Sequence, residues 1–277
     1  MDVYIVDAFT IPGRPGSGNP AAVCALGFTA FPPDHVLQRI AAEHNLSETA
    51  FYRGGGSSNF ELRWFTPEQE VDLCGHATLA AAFVELSVRG SGARTTVAFD
   101  SRSGTLNVAL LENGSLELDF PSRPPRPLLL YAPAELFTAL RLDPSCALFV
   151  GKARDYLIEV ATPEEVAAVK PDFALLAGVD ALCVCVSAKG SGGDGAPDVV
   201  TRVFCPSCGV PEDPVTGSAH CTIVPYFAAQ LGRSALVCEQ ISARGGVLRC
   251  ELRGERVALA GAATLFSRGR IEASALG

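Results

Sequence analysis

The chain has 277 residues, a formal charge of −8 and 48% hydrophobic content, enough for two domains of ordinary size and a substantial buried core. The acidic balance and the absence of basic runs argue against a nucleic-acid or anionic-membrane partner. No window holds the ~18 uninterrupted apolar residues of a membrane span, so a soluble cytoplasmic protein with no visible targeting signal is expected.

Residues 3–9 alternate as a strand and run into a glycine- and proline-rich loop over 10–19. A strand over 21–26 follows, and Pro32-Pro33-Asp34 opens a helix to about His44 with Val36, Leu37, Ile40 and Ala41 on one face. Strands over 49–53 and 60–65 flank a hairpin loop at 54–58, which leaves Glu48 at the mouth of a strand. Residues 75–88 are apolar nearly all round, and a helix without a polar face must be wrapped by other elements. Strands over 95–99, 104–111 and 115–120 can supply the wrapping.

The stretch 121–127, with prolines at four of its seven positions, reads as an interdomain linker. Beyond it come a short helix from Ala134, strands over 147–150 and 156–160, and a helix capped by Thr162 with Pro163 in its first turn. A strand over 181–187 leads to a glycine-rich surface loop over 189–197. A second apolar helix spans 217–231, and Pro225 inside it predicts a bend or an early stop. Strands from Leu236, Val247 and Val257, and a last one over 263–266, close the chain.

The two apolar helices are copies. Arg63-Trp64-Phe65-Thr66-Pro67 precedes Asp72-Leu73-Cys74-Gly75-His76-Ala77, and Arg202-Val203-Phe204-Cys205-Pro206 precedes Asp213-Pro214-Val215-Thr216-Gly217-Ser218-Ala219. Gly104 lies as far beyond Gly75 as Gly246 lies beyond Gly217. A period this long means two related domains rather than a solenoid, whose repeats run to ~20–50 residues. The expected lobes are 1–120 and 121–277, with the last strand free to pack on the first.

The ten cysteines are scattered through apolar patterns such as Leu182-Cys183-Val184-Cys185-Val186, as reduced core thiols would be. Cys205-Pro206-Ser207-Cys208 is a C-x-x-C, but no second pair or suitably spaced histidine completes a zinc set, so no metal is expected. Residues 13–18 lack the strand-to-helix context of a phosphate loop, so no organic cofactor is expected either.

A helix start presents backbone N–H groups and favours a carboxylate or a developing enolate. Gly75 and Gly217 let a ligand approach the two helix starts closely, with His76 and Ser218 at equivalent places just inside. Two such starts facing one cleft would hold a small carboxylate-bearing substrate. Proton transfer at carbon also needs a base, and Glu48 and Asp213 are the candidate carboxylates.

Gly18-Asn19-Pro20-Ala21-Ala22-Val23, Asn45-Leu46-Ser47-Glu48-Thr49-Ala50-Phe51, Asp72-Leu73-Cys74-Gly75-His76-Ala77 and Glu212-Asp213-Pro214-Val215-Thr216-Gly217-Ser218-Ala219-His220 resemble the signature segments of the PhzF (phenazine biosynthesis-like) isomerase family, in order and over essentially the whole chain. The wording is nearest to the MAWD-binding-protein-like branch. The resemblance implies an α+β, diaminopimelate epimerase-like fold: two pseudo-symmetric lobes, each a curled sheet or barrel around a central helix. It implies cofactor-independent proton shuttling on a small carboxylic acid bound between the lobes, and a homodimer as an assembly state. It gives Glu48 the role of general acid/base, and it gives His76, Asp213 and Ser218 the polar groups that surround substrate and relay protons. Gly75 and Gly217 become backbone donors, with Asn19, Cys74 and Thr216 also in the binding set.

Cys74 stands where amino-acid epimerases of the same superfold carry one of two catalytic cysteines, and its counterpart here is Thr216. A threonine hydroxyl is too weak an acid and base for a symmetric two-thiol mechanism. A Cys74-dependent epimerase or dehydratase remains an alternative, as does a non-catalytic member that acts by binding partners.

Overall fold

The computed structural model describes residues 1–27, 29–54, 59–90, 92, 94–128, 132–193 and 195–272. Positions 55–58 of the expected hairpin loop and position 194 of the glycine-rich loop lie outside these. The chain forms two compact units, Met1–Asp119 with Ala260–Gly277, and Phe120–Leu259.

The first unit contains β1 (Asp2–Thr10), β2 (Asn19–Ala25), α1 (Asp34–His44), β3 (Glu48–Gly54), β4 (Asn59–Phe65), β5 (Glu70–Val71), α2 (Gly75–Phe83), β6 (Thr96–Ser101), β7 (Gly104–Leu110) and β8 (Leu116–Pro121). The hydrogen-bonded order is β1-β2-β3-β4-β6-β7-β8 and then the chain's last strand, whose 262–270 stretch pairs back on β1. Eight strands thereby close into a barrel. Buried from Gly75 to Ala82, α2 packs against β1, β2 and β3. The alanines of α2 (Ala77, Ala80, Ala81, Ala82) and of β2 (Ala21, Ala22, Ala25) are all buried, and small side chains on both elements permit close approach without voids. On the other side of the sheet, α1 buries Val36, Leu37, Ile40 and Ala41 against Cys24, Phe51 and Phe65. Full burial of one such aliphatic side chain is worth ~1.5–3 kcal/mol, so α1 is held by its apolar face rather than by propensity.

The second unit contains β9 (Arg126–Pro127), α3 (Ala134–Leu140), β10 (Phe149–Lys152), β11 (Tyr156–Glu159), α4 (Pro163–Ala168), α5 (Phe173–Leu176), β12 (Val184–Lys189), β13 (Val199–Phe204), α6 (Gly217–Leu231), β14 (Ala235–Gln240), β15 (Gly246–Arg253) and the start of β16 (Arg256–Arg270). Its order is β16-β15-β14-β13-β12-β11-β10-β9. The plan of the first unit recurs. Parallel β2–β3 matches parallel β11–β12, antiparallel β3–β4 matches β12–β13, and parallel β4–β6 matches β13–β14. In each unit the apolar helix fills the crossover of the last parallel pair.

Four expectations need correction. The first apolar helix is α-helical only to Phe83; Val84–Val88 is a π-helical turn closed by Arg89 N–H on the Val84 carbonyl at 2.8 Å. In that turn Glu85 accepts the hydroxyl of the buried Tyr52. Next, of the bend or early stop expected at Pro225, the early stop does not occur, and α6 continues to Leu231. Proline lacks the N–H that would bond the carbonyl four residues back, and that carbonyl, on Cys221, accepts the backbone N–H of Arg123 at 2.8 Å. The proline-rich 121–127 stretch is therefore no loose linker: Ser122 N–H bonds Glu255 O at 2.8 Å, and β9 pairs with β10. Finally, the two expected last strands are one, β16, which runs on from Arg256 to Arg270 and absorbs two register shifts in its pairing with β1.

Candidate acid-base site

Local geometry brings Asn19, Glu48, Cys74 and His76 together in the first unit. Gly18 has φ +86°, and a Cβ there would stand 2.6 Å from the Ala8 carbonyl oxygen. Only glycine lets β2 start this close to β1, and the next residue, Asn19, is fully buried opposite Ala8. Helix α1 ends at Asn45 in the left-handed region, its N–H on the Ala41 carbonyl. Three residues later Glu48 opens β3, paired in parallel with Ala21. Parallel pairing puts the starts of β2 and β3 at one end of the sheet, where α2 also begins.

His76 is the hub. Its Nδ1 lies 3.2 Å from Asn19 Nδ2 and 3.5 Å from Cys74 Sγ, while its Nε2 lies 3.3 Å from Glu48 Oε2. An amide nitrogen can only donate, so Nδ1 accepts and the imidazole proton sits on Nε2, the ring nitrogen nearer the Glu48 carboxylate. Burial holds the His76 pKa down at about 3, so the ring is neutral at physiological pH. The His76 side chain is 5% exposed and that of Glu48 18%, so the carboxylate is the more exposed member of the pair. Thr78 Oγ1 donates to the Cys74 carbonyl at 2.5 Å, and Cys74 caps no first-turn N–H of α2 with its side chain.

The thiol, imidazole and carboxylate offer ligand atoms within 4.8 Å of one another. The ring turns Nδ1 to the thiol and Nε2 to the carboxylate, however, and an ion takes one ring nitrogen.

The second unit builds a different cluster on the same turn. The Thr216 hydroxyl donates to Asp213 Oδ2 at 2.5 Å, and Gln240 grips the turn with Oε1 accepting Thr216 N–H at 2.9 Å and Nε2 donating to Asp213 O at 2.6 Å. Ser218, just inside α6, accepts from Arg154 Nη2 at 3.0 Å, and that guanidinium is held by the fully buried Asp155 at 2.8 and 2.6 Å. His220 Nδ1 meets the Thr216 carbonyl at 2.8 Å, and burial lowers its pKa to about 4.

Asp213, Thr216, Gly217 and Ser218 thus form one local group, and Asn19, Glu48, Cys74, Gly75 and His76 another. Sequence reasoning missed Gln240, Arg154 and Asp155. Gln240 had a readable signal: in β14 the buried positions are 236, 238 and 240, so a glutamine falls on the core-facing phase of an apolar strand.

A family profile described as phenazine biosynthesis-like protein (PhzC-PhzF) matches residues 6–269. A Pseudomonas aeruginosa protein named as an uncharacterized isomerase is 46% identical, over 99% of each chain. A solved PhzF-family structure from Enterococcus faecalis superposes with TM-score 0.87 at 41% identity, covering 97% of each chain. A hydroxyproline epimerase from Agrobacterium vitis, solved with trans-4-hydroxy-L-proline, matches with TM-score 0.59 at 12% identity over 97% of this chain and 91% of that one. At that identity the likeness speaks for fold alone, and with the E. faecalis match it makes this an α+β fold of the epimerase-like kind.

Proposed function

The chain belongs to the phenazine biosynthesis-like protein family, and from that premise we propose an isomerase that moves a proton within a small carboxylate-bearing substrate, with Glu48 as the acid and base. The observation that carries this reading is the Glu48 carboxylate set 3.3 Å from the Nε2 of a buried histidine whose other nitrogen Asn19 occupies. With its pKa near 3, His76 is too weak a base to take a proton from carbon, so it serves as a neutral donor that aims the carboxylate. Glu48 removes a proton from a carbon next to an electron-withdrawing group and returns it to another carbon, so no oxidant or reductant is consumed. The enolate formed between the two steps is stabilised by N–H donors, for which the uncapped start of α2 at Gly75 is suited. The family resemblance gives Asp213, Thr216, Gly217 and Ser218 roles in binding substrate and relaying protons, and these belong to the same proposal.

Cys74 supports a second reading. Its sulfur is 3.5 Å from His76 Nδ1, so a thiol-dependent epimerase or dehydratase is the alternative. The low basicity of His76 weighs against it, because a thiolate–imidazolium pair requires the ring to hold the proton.

The test is deuterium incorporation followed by NMR in heavy water over a panel of small carboxylates, including amino acids, hydroxyprolines and dihydroaromatic acids. Exchange at a carbon that disappears in Glu48→Gln and persists in Cys74→Ala supports the proposal. The reverse pattern moves the chemistry to the thiol. No exchange across the panel, with stoichiometric capture of one protein partner, replaces both readings with a binding role.

A further inference from the structure

We propose that Cys183 and Cys205 form an oxidation site, a thiol pair that closes to a reversible disulfide between the start of β12 and the end of β13. Their sulfurs lie 2.6 Å apart, both residues are buried, and neither belongs to the acid-base cluster. Strand register explains the meeting. Val184 pairs with Phe204 across the antiparallel ladder, and Cys183 and Cys205 are the next residues outward. Directly opposed residues in such a ladder have Cα atoms ~4.5–5.5 Å apart, inside the ~4.4–6.8 Å that a disulfide requires. The bond can therefore form without moving the backbone.

A second pair of thiols provides a contrast. Cys238 and Cys250 are also buried neighbours, but Cys238 opposes Leu248 and Cys250 opposes Leu236, so the two cysteines are diagonal. Diagonal neighbours stand ~7–8 Å apart, beyond disulfide reach. Register thus separates one pair that can be linked from one that cannot.

The Cys183 contact and burial raise the Cys205 pKa well above that of an ordinary thiol, which leaves little thiolate at neutral pH and makes the closure slow. Hydrogen peroxide is the simplest oxidant for it. One sulfur attacks a peroxide oxygen, the O–O bond breaks, and a sulfenic acid and one water form. The other sulfur then attacks the sulfenic sulfur, the S–S bond forms, and the second water leaves. Two protons and two electrons pass from the thiols to the peroxide. The link would fasten the segment that begins at Cys205, bridges to Val210 and reaches Asp213, whose N–H bonds the Val203 carbonyl at 3.0 Å. This inference is independent of the isomerase reading.

The experiment treats the reduced full-length chain with hydrogen peroxide, blocks remaining thiols by alkylation, and maps cross-linked peptides by mass spectrometry without reduction. A Cys183–Cys205 link that forms ahead of any Cys238–Cys250 link, reverses with dithiothreitol and persists in Cys208→Ser is the expected result. A Cys205–Cys208 link in its place, or Cys205 oxidised to sulfinic acid while Cys183 remains alkylatable, overturns the proposal. The wild-type map decides the pairing, so a variant that fails to fold does not blur the outcome.

Discussion

At the start of α2 the Cys74 carbonyl takes the hydroxyl of Thr78, and at the start of α6 the Thr216 carbonyl takes Nδ1 of His220, the residue in the same place. The correspondence runs further. Arg63 bonds Glu70 and stacks on Phe65, while Arg202 bonds Glu212 and stacks on Phe204, with N–O distances of 2.7 Å in both. Ser103 donates to the Asp72 carbonyl and Ser242 to the Pro214 carbonyl, three residues before each helix glycine. The two units share a bracket that holds the turn before the helix. They differ in what faces it. Thr49 pairs with Phe65 and Val184 with Phe204, so the residue before each, Glu48 or Cys183, occupies one and the same position. Backbone and bracket repeat while the carboxylate at this position does not, so Glu48, the proposed acid and base, has a thiol as its counterpart in the second unit.

The sharpest way to break this contrast is to substitute the two equivalent positions one at a time. Glu48→Gln is expected to lower turnover by ~10²–10⁴-fold, the usual contribution of a general base, whereas Cys183→Ala leaves turnover within a few-fold. Solvent-deuterium exchange on the best substrate measures both. Equal losses would mean that the units act alike.

The buried histidines give the next largest effect, on stability. Folding lowers the pKa of His76 from 6.5 to about 3 and of His220 from 6.5 to about 4. Below pH 6.5 the unfolded chain binds protons that the folded chain refuses, so stability falls as pH drops from about 6.5 toward those values. Each pKa unit of depression corresponds to about 1.4 kcal/mol at full effect. Urea midpoints at pH 7 and pH 4.5 should separate widely for the wild type, and the gap should narrow in His76→Gln and again in the double variant with His220→Gln. An unchanged gap would show that neither ring resists protonation.

Gln240→Ala tests the bracket peculiar to the second unit. It strips partners from Thr216 N–H and the Asp213 carbonyl in a buried place, at a cost of ~1–3 kcal/mol for each group left unpaired. The shared serine clamps come last. Ser103→Ala and Ser242→Ala should each cost ~0.5–1.5 kcal/mol by chemical denaturation, and by similar amounts if the clamps are equivalent.

Much of this was legible in the sequence. Asn19, Glu48, Cys74 and His76 each sit beside a glycine, at a strand mouth or at a helix start, and local punctuation of that kind can be read from the chain. The two apolar helices also announced themselves, since alanine-rich runs with no polar face must be enclosed. Hidden were features set by register. That Cys183 replaces Glu48, or that it meets Cys205, depends on which residue opposes which across two strands, and a shift of one residue would erase both. Gln240 reaches a turn 24 residues away in sequence, and Arg154 a serine 64 away, so no local pattern encodes either contact. The π-helical turn after Phe83 was hidden for the same reason: its Glu85 bonds Tyr52 on another strand.

Pro225 has a consequence for the slow dynamics of the second unit. The Arg123 amide lies in a proline-flanked stretch that a reader of the chain would expect to trade its hydrogen with solvent within seconds. Because that hydrogen is lodged on the carbonyl released by Pro225, it escapes only when the bond to α6 opens. In native-state hydrogen exchange the Arg123 amide should therefore behave as a member of the buried helix. An amide outside any strand or helix would then report on the opening of the core.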